Sequence, residues 1–253
     1  MHTIETPFGE PGFLVLAGSR LFGIHTDESD YDYIGALIEP EEYRLGIKNY
    51  AGKGGNQHGF EQHEFSGEGF EGTVYSLRKL ALMLAEGNPT IITTMFADPI
   101  TDYYGICDEE FRKIVRCRAS GVRFLKYMKA QRGAMLGERK GTNRPDLVSA
   151  FGFDTKFAGH WLRLGYQGIE YLETGNITLP MPFESTVAGC AENVREVRGG
   201  LWTKAEVVRE GEALTARLER SYEASTLPEE ADYEALNEWV VERYRTEYGL
   251  TES

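Results

Sequence analysis

The sequence predicts an α+β fold, in which a small sheet with flanking helices is followed by a mostly helical C-terminal portion. Two apolar runs, 13–18 and 31–38, have the length and composition of buried strands, and 71–76 is predicted to be a third strand. After about Asp108, apolar residues recur at helical spacing almost to the end of the chain. We therefore expect two domains, 1–107 and 108–253.

Composition is typical of a globular protein with an acidic surface. The 253 residues are 41% hydrophobic, which is enough to form a substantial core, and the formal net charge is −13. Such a charge argues against a general polyanion-binding surface, although one local basic strip is compatible with it. Residues Cys107, Cys117 and Cys190 show no C-x-x-C spacing, so we expect reduced thiols rather than disulfides or a zinc site.

No apolar run approaches the roughly 18 residues that a membrane span requires, so no membrane partner is expected. The first residues lack the basic start and apolar centre of a signal peptide. These two observations predict a cytoplasmic protein.

The first half is expected to alternate strands with short helices. A short helix or turn over 19–25 would begin at Gly18-Ser19, and the third strand would run into a helix that ends near Gly87. The segment 39–71 is polar and glycine-rich without helical period, and it predicts a long functional or flexible loop that is not a P-loop. Its histidines, His58 and His63, are expected to be incidental rather than metal ligands.

The second half is expected to consist of helices. Amphipathic patterns cover 109–118 and 121–134, and a basic connection follows over 133–152, with Arg139, Lys140 and Arg144. The strongest helix covers 154–173, with Asp154 as N-cap and Gly175 beyond its end. Two charge-rich helices, 204–225 and 232–248, complete the chain.

The sharpest chemical motif is the stretch from Gly18-Ser19 to Asp30-x-Asp32. Backbone N–H groups and a hydroxyl at Gly18-Ser19 suit an anion such as phosphate. Residues i and i+2 of a strand share a face, so the carboxylates of Asp30 and Asp32 would lie together and suit Mg²⁺. A phosphate site so close to metal carboxylates indicates nucleotide chemistry, whereas the alternative is a solvated structural turn.

Nucleotidyl transfer usually requires a third carboxylate, because two metal ions roughly 4 Å apart stabilise the entering and leaving oxygens. Glu71, at the start of the third predicted strand, is the best candidate, and Glu64 is the second. The alternative is nearly as well supported: Glu71 is an exposed acid at the start of a strand and has no catalytic role.

Basic residues recur on one face of the long helix. Lys156, His160, Arg163 and Gln167 follow the spacing i, i+4, i+7 and i+11, and such a strip suits a triphosphate or a nucleic-acid backbone. The alternative is that Lys156 and Arg163 pair with surface acids.

Several of these motifs together resemble a known group of proteins. Residues 18–35, GSRLFGIHTDESDYDYIG, are similar to the signature of predicted nucleotidyltransferases of the DNA polymerase β superfamily, in the group associated with RNA-repair operons and also found in bacteriophages. The blocks 75–80 with 88–91, 156–164 and 168–175 are similar to later blocks of that group. The resemblance extends from about residue 10 to about 248.

The resemblance implies a minimal nucleotidyltransferase core with a mixed sheet over 1–107 and a helical portion over 108–253. It implies that Gly18 and Ser19 bind the triphosphate and that Asp30 and Asp32 bind Mg²⁺. It also favours three residues of the long helix as contacts to nucleotide or acceptor: Lys156, His160 and Arg163. Arg20, Arg78 and Lys79 complete the candidate substrate-binding residues.

We therefore predict a Mg²⁺-dependent nucleotidyltransferase with Asp30, Asp32 and Glu71 as catalytic and metal-binding residues. Two Mg²⁺ ions are expected, with Mn²⁺ as a substitute. The enzyme would transfer a nucleoside monophosphate from a nucleoside triphosphate to an acceptor hydroxyl and release pyrophosphate. An RNA or tRNA end is the favoured acceptor; the alternatives are a small molecule, a protein, or a catalytically silent nucleotide- or RNA-binding module.

Overall fold

The computed structural model of the protein describes residues 2, 4–51, 59–138, 144–184 and 190–250. A five-stranded mixed sheet has the order β3-β4-β2-β1-β5. Its strands are β1 (Phe13–Ala17), β2 (Tyr31–Leu37), β3 (Gln62–Gly67), β4 (Phe70–Ser76) and β5 (Pro99–Asp102). Strands β2 and β4 run parallel, and the other neighbours are antiparallel. The α+β class is confirmed.

Helices surround this sheet and form most of the second half. The short ones are α1 (Gly18–Leu21), α2 (Glu41–Arg44), α3 (Leu77–Ala85), α4 (Pro89–Ile92, continued by a 3₁₀ turn, Thr93–Phe96), α5 (Glu109–Val115), α7 (Pro145–Phe151) and α9 (Ala191–Arg198). The long ones are α6 (Ala119–Met135), α8 (Thr155–Thr174), α10 (Lys204–Ala224) and α11 (Tyr233–Glu247). Within the described ranges, every helix is too short or too polar to cross a membrane.

The two faces of the sheet have different partners, because side chains alternate along each strand. One face, with Val15 and Ile34, joins the large hydrophobic cluster formed with the helices. The opposite face, with Leu14 and Val74, packs on Phe60 in a smaller cluster. By the same alternation, Asp32 lies on the helix-covered face, at the end of the sheet where β2 begins.

Helix α8 is the central element of the helical half. The Asp154 side chain accepts hydrogen bonds from the backbone N–H groups of Lys156 and Phe157, and Gly175 ends the helix with a φ of 73°. Both predicted caps are therefore confirmed. The helix is buried on all sides from 161 to 172, because α6, α9 and α10 pack around it. Gly165 lets Leu214 of α10 approach closely, since a Cβ there would lie 2.9 Å from the Leu214 Cβ.

Residues 39–71 do not form the continuous loop predicted from the sequence. They contain α2 and the edge strand β3, whose residues are half-buried or exposed and include few apolar side chains. An edge strand with a polar composition lacks the apolar run from which strands are recognised. His58 lies outside the described residues.

The basic connection over 133–152 is also more ordered than predicted. Helix α6 extends to Met135, and α7 occupies 145–151 without a buried residue, so no apolar period marked it in the sequence. Arg139 and Lys140 lie outside the described residues. Strand β5 and helix α9 were not predicted either.

One hydrophobic cluster spans both halves of the chain. It contains Phe13 and Leu77 from the first half and Trp161 and Trp239 from the second. The division into parts 1–107 and 108–253 stays a prediction.

Candidate active site

Acidic side chains meet where β2 and β4 begin. In the parallel pair, Asp32 lies directly opposite Glu71, so the two side chains share a face. Asp30 lies immediately before β2, two residues from Asp32, and its charge acts on the Asp32 carboxyl. Asp32 is half-buried, whereas Asp30 and Glu71 are exposed. The sheet register thus joins two acids that are far apart in sequence.

The neighbouring acids affect the pKa of the Asp32 carboxyl. Burial raises its pKa first, and the charges of Glu71 and Asp30 raise it further. The charge of Lys156 and the backbone N–H of Ser19 act in the opposite direction and lower the pKa. A cation placed among the carboxylates would relieve the repulsion, and hard oxygen donors of this kind fit Mg²⁺.

Glu71 is better placed than Glu64 to complete the carboxylate group. Glu64 lies on β3 opposite Thr73, one strand further from Asp32. Among the described residues, no three His, Cys, Asp or Glu side chains lie close enough to hold a metal ion as they stand. Metal binding by Asp30, Asp32 and Glu71 therefore stays a prediction.

Gly18 is required by its contact with Asp32. Its φ is +59°, and a Cβ at this position would lie 1.7 Å from the Asp32 Oδ2. A positive φ and a close approach are the two situations in which glycine is favoured. Gly18-Ser19 forms the start of α1, as predicted, and lies directly against the Asp32 carboxylate.

Arg20 stabilises the turn that carries Asp30. Its Nη2 donates to the Ser29 carbonyl at 2.7 Å and its Nε to the Asp30 carbonyl at 3.3 Å. Its guanidinium also stacks at 3.9 Å over the ring of Tyr31. Its Nε and Nη2 thus bind the protein's own backbone, and the substrate-binding role of Arg20 stays a prediction.

Basic side chains from α8, from α9 and from the residue that precedes α7 lie close together, and we call them the basic cluster. The members are Arg144, Lys156, His160, Arg163 and Arg198. The strip predicted on the surface of α8 is therefore partly internal: Arg163 is only 7% exposed, and burial lowers the pKa of its guanidinium to about 10. Burial and four neighbouring cations lower the pKa of His160 to about 3, so this imidazole is neutral at physiological pH.

The contacts of Arg163 include no acid among the described residues. Its Nη1 donates to the Gln167 Oε1 at 2.6 Å, and its guanidinium lies 4.2 Å from the ring centre of Phe22, which follows α1. Its Nε and the Gln167 Nε2 are buried and have no hydrogen-bond partner in the part of the chain that the structure describes. The predicted alternative, in which Arg163 pairs with a surface acid, is wrong.

Arg198 connects the basic cluster to the end of α1. Its Nη1 donates to the Ile24 carbonyl at 3.2 Å, and its side chain crosses α8 at Gly159, where a Cβ would lie 2.6 Å from the Arg198 Cγ. Burial and the charge of Arg144 lower the pKa of Arg198. Arg144 itself pairs with the buried Asp154, Nη1 to Oδ2, at 3.2 Å.

Comparison with known proteins places the chain in a family. The model of the RNA repair pathway DNA polymerase beta family matches residues 12–242. The chain belongs to this family. It is therefore a nucleotidyltransferase of the DNA polymerase β type, as the resemblance in the sequence indicated.

Two further comparisons accompany the family match. No curated protein matches the chain significantly. A solved structure, that of a nucleotidyltransferase-like protein from Exiguobacterium sibiricum 255-15, is similar at 12% identity, with 85% of this chain and 69% of that chain covered and a TM-score of 0.28.

Two predicted substrate-binding residues of the nucleotidyltransferase lie far from the carboxylates. Arg78 and Lys79 begin α3, at the opposite end of β4 from Glu71, and the strand between them spans roughly 16 Å. There they line a cleft of about 700 Å³, and the Lys79 Nζ contacts the Gln62 Oε1 at 2.7 Å and the Glu61 Oε2 at 3.3 Å. The structure does not bring them into the candidate active site.

His63 forms a hydrogen bond on the face of the sheet opposite to Glu71. Its Nδ1 forms a hydrogen bond with the Tyr50 hydroxyl, and it lies opposite Val74, whereas Glu71 faces the other way. Burial lowers the pKa of His63. The interpretation of His63 as an incidental histidine stays a prediction.

Two residues beside the nucleotidyltransferase site, Phe22 and Arg198, were not selected from the sequence. Arg195 and Arg198 both reach the turn after α1, where Arg195 donates to the Gly23 carbonyl and Arg198 to the Ile24 carbonyl. Their spacing of three on a helix with buried Val194 and Val197 was an available signal, since it places both arginines near one face.

Proposed function

We propose that the protein is a Mg²⁺-dependent enzyme that transfers a nucleoside monophosphate from a nucleoside triphosphate to an acceptor hydroxyl, with an RNA or tRNA end as acceptor. The observation that carries this proposal is the alignment of Asp32 with Glu71 directly against Gly18-Ser19. Acids that repel one another beside a glycine turn are the parts expected of a metal-dependent phosphoryl site.

Asp30, Asp32 and Glu71 would hold two Mg²⁺ ions, or Mn²⁺ in their place. The bound metals would supply Lewis acidity and charge neutralisation at the α-phosphate. The carboxylates fit this role because all three are oxygen donors: Asp32 and Glu71 lie side by side on one face of the sheet, Asp30 lies immediately before β2, and both Asp30 and Glu71 are exposed. Burial first, and then the charges of Glu71 and Asp30, raise the pKa of Asp32, which agrees with a carboxylate placed among other acids.

The reaction forms a bond between the acceptor oxygen and the α-phosphorus and breaks the bond from that phosphorus to the α,β-bridging oxygen. Pyrophosphate leaves with the bonding electron pair, and one of the carboxylates accepts the hydroxyl proton. The Ser19 hydroxyl and the backbone of Gly18-Ser19 would bind the triphosphate. Lys156, which already acts on the charge of Asp32, would neutralise phosphate charge beside the carboxylates.

The two predicted parts of the chain would share this work. Residues 1–107 form the catalytic core, which supplies the carboxylates and α1. Residues 108–253 form the helical part, which supplies the basic cluster, with Lys156, His160 and Arg163 from α8. Support for RNA as acceptor comes from the family, whose description refers to RNA repair.

The acceptor is tested with α-labelled nucleoside triphosphates. The protein is incubated with Mg²⁺ and, separately, with total RNA, cell-extract protein and a small-molecule pool. We expect label in RNA, and we expect Asp32→Asn to abolish it while Asp27→Asn, an exposed acid of the same turn, does not. If the label enters protein or small molecules and never RNA, the proposal of RNA as the acceptor is wrong.

A further inference from the structure

A groove with an apolar floor runs between α3 and α11 and has a volume of about 450 Å³. Residues of α11 line it from Tyr233 to Arg245 at the spacing of one helical face. The 15 residues of α11 span roughly 22 Å, so about four turns of a second helix fit along the groove. The start of α3 and the end of α2 form the other wall. Both follow strand ends opposite to Asp32 and Glu71, so the groove is separate from the candidate active site.

Large hydrophobic side chains are exposed along this groove. They are Leu45, Leu82, Tyr233, Val241 and Leu250. Single exposed apolar residues scattered over a surface need no explanation, whereas a continuous apolar patch with a polar rim marks an interaction site. The groove therefore has the composition of a surface that another molecule covers.

The rim of the groove is positively charged. Arg44, Arg78 and Arg245 line it, and none of its described lining residues is an Asp or Glu, although the chain has 40 of these acids. Arg44 lies 3.5 Å from the buried Glu39 carboxylate. Arg78 and Arg245 are exposed, and neither forms an ion pair within the described ranges. In a chain of net charge −13, such a rim favours a partner with acidic flanks.

Two other occupants fit the groove less well. Single-stranded RNA is recognised by stacking of its bases on aromatic rings, but the floor is mainly aliphatic, with Ala81, Leu236 and Val240. In a twofold contact with a second copy of this chain, Arg78 and Arg245 would meet the same two arginines, and like charges repel. A helix of a different protein, with acidic flanks, has neither disadvantage.

We propose that the groove between α3 and α11 binds an amphipathic helix of a partner protein, with aliphatic side chains on the floor and acidic residues beside Arg78 and Arg245. An apolar helix face that lies in a groove between two helices is a recurrent mode of peptide recognition. This docking site goes beyond the proposed transfer reaction and does not depend on it.

The test is fluorescence anisotropy of a labelled synthetic peptide titrated with the full chain. The probe is a helical peptide of about 18 residues with leucines at i, i+3, i+4 and i+7 and glutamates on both flanks. A second probe has lysine in place of every glutamate. We expect the glutamate peptide to bind at least about tenfold more tightly than the lysine peptide, because the arginine rim attracts one and repels the other.

Two variants examine the floor and the rim separately. Val241→Glu introduces a charge into the apolar floor, and its control is Val122→Glu, because Val122 is 38% exposed, Val241 is 37% exposed, and Val122 does not line the groove. Arg245→Glu reverses a rim charge, and its control is Arg220→Glu at an exposed position of α10. We expect each groove variant to bind the glutamate peptide at least about tenfold more weakly than its control. Circular dichroism checks that all four variants fold.

Three results with the peptides would overturn the docking site. They are wild-type protein that does not bind the glutamate peptide at about 100 μM, a groove variant that binds it as tightly as its control, and a lysine peptide that binds equally well. A wild-type dimer in sedimentation velocity that Val241→Glu dissociates would assign the groove to a second copy instead. A single-stranded RNA oligonucleotide that binds more tightly than the glutamate peptide, and that Arg245→Glu releases, would assign it to nucleic acid. Either result would likewise overturn the proposal.

Discussion

Gly18 shows how one residue can position a catalytic carboxylate. Because its missing side chain leaves room for the Asp32 Oδ2, we expect Gly18→Ala to displace this carboxylate and to lower the transfer rate by about a hundredfold. Gly249→Ala is the matched control, since Gly249 has a φ of +66° with nothing within 4 Å of its Cβ position. Equal rates for the two variants, measured by release of pyrophosphate, would exclude this role for Gly18.

The protonation state of His160 can be measured directly. Its pKa of about 3 means that the imidazole stays neutral in the folded protein where an ordinary histidine becomes charged. The unfolded chain takes up that proton near its ordinary pKa of about 6.5, so the stability contributed by His160 is lost as the pH falls below this value. We expect its imidazole NMR signals to stay constant across about pH 5 to 8. Titration near pH 6.5 would contradict the buried, cation-surrounded environment.

At the scale of elements, a buried polar contact holds α11 against the segment that follows β2. The Tyr244 hydroxyl donates to the Glu39 Oε2 at 2.8 Å, and burial raises the pKa of Glu39. We expect Tyr244→Phe to lower the free energy of unfolding by about 1–3 kcal/mol in urea denaturation, because a buried acceptor loses its donor. Tyr233→Phe, an exposed tyrosine of the same helix, should change it by less than about 0.5 kcal/mol.

Some elements could be predicted from the sequence because local signals and burial agree. Strands β1 and β2 have apolar residues at most positions, and the sequence contains both caps of α8, Asp154 and Gly175. Strand β3 was not predicted, because a strand at the edge of the sheet does not need a run of apolar residues. Helix α9 was not predicted, because it is short and rich in charged residues and has three buried positions.

Some residues of the candidate site could likewise be predicted from the sequence, and others could not. Asp30, Asp32 and Gly18 lie within one short stretch, so local spacing was enough to select them. The opposition of Glu71 to Asp32 depends on strand register, which the glycine-rich segment before β4 obscured. The burial of Arg163 and the approach of Arg198 depend on how α8 and α9 pack. Residue spacing places side chains on one face of a helix, but it does not show which element that face packs against.

At the scale of the whole molecule, the two parts depend on each other. The carboxylates belong to residues 1–107 and the basic cluster to 108–253, and one hydrophobic cluster connects the parts. We therefore expect an isolated 1–107 fragment to lack cooperative unfolding, because residues such as Phe13 and Leu77 would lose their helical partners. A fragment that unfolds cooperatively by circular dichroism would show an independent core.

The central claim is that three carboxylates at the start of β2 and β4 perform metal-dependent nucleotidyl transfer. Its most direct test is the Mg²⁺-dependent release of pyrophosphate from a nucleoside triphosphate in the presence of total RNA, for the wild type and for Asp32→Asn. We expect release by the wild type that stops when Mg²⁺ is chelated, and a loss of at least about a hundredfold in the variant, since the aligned carboxylate can no longer help to hold a metal. Release that persists unchanged in Asp32→Asn, or that ignores Mg²⁺, would contradict it.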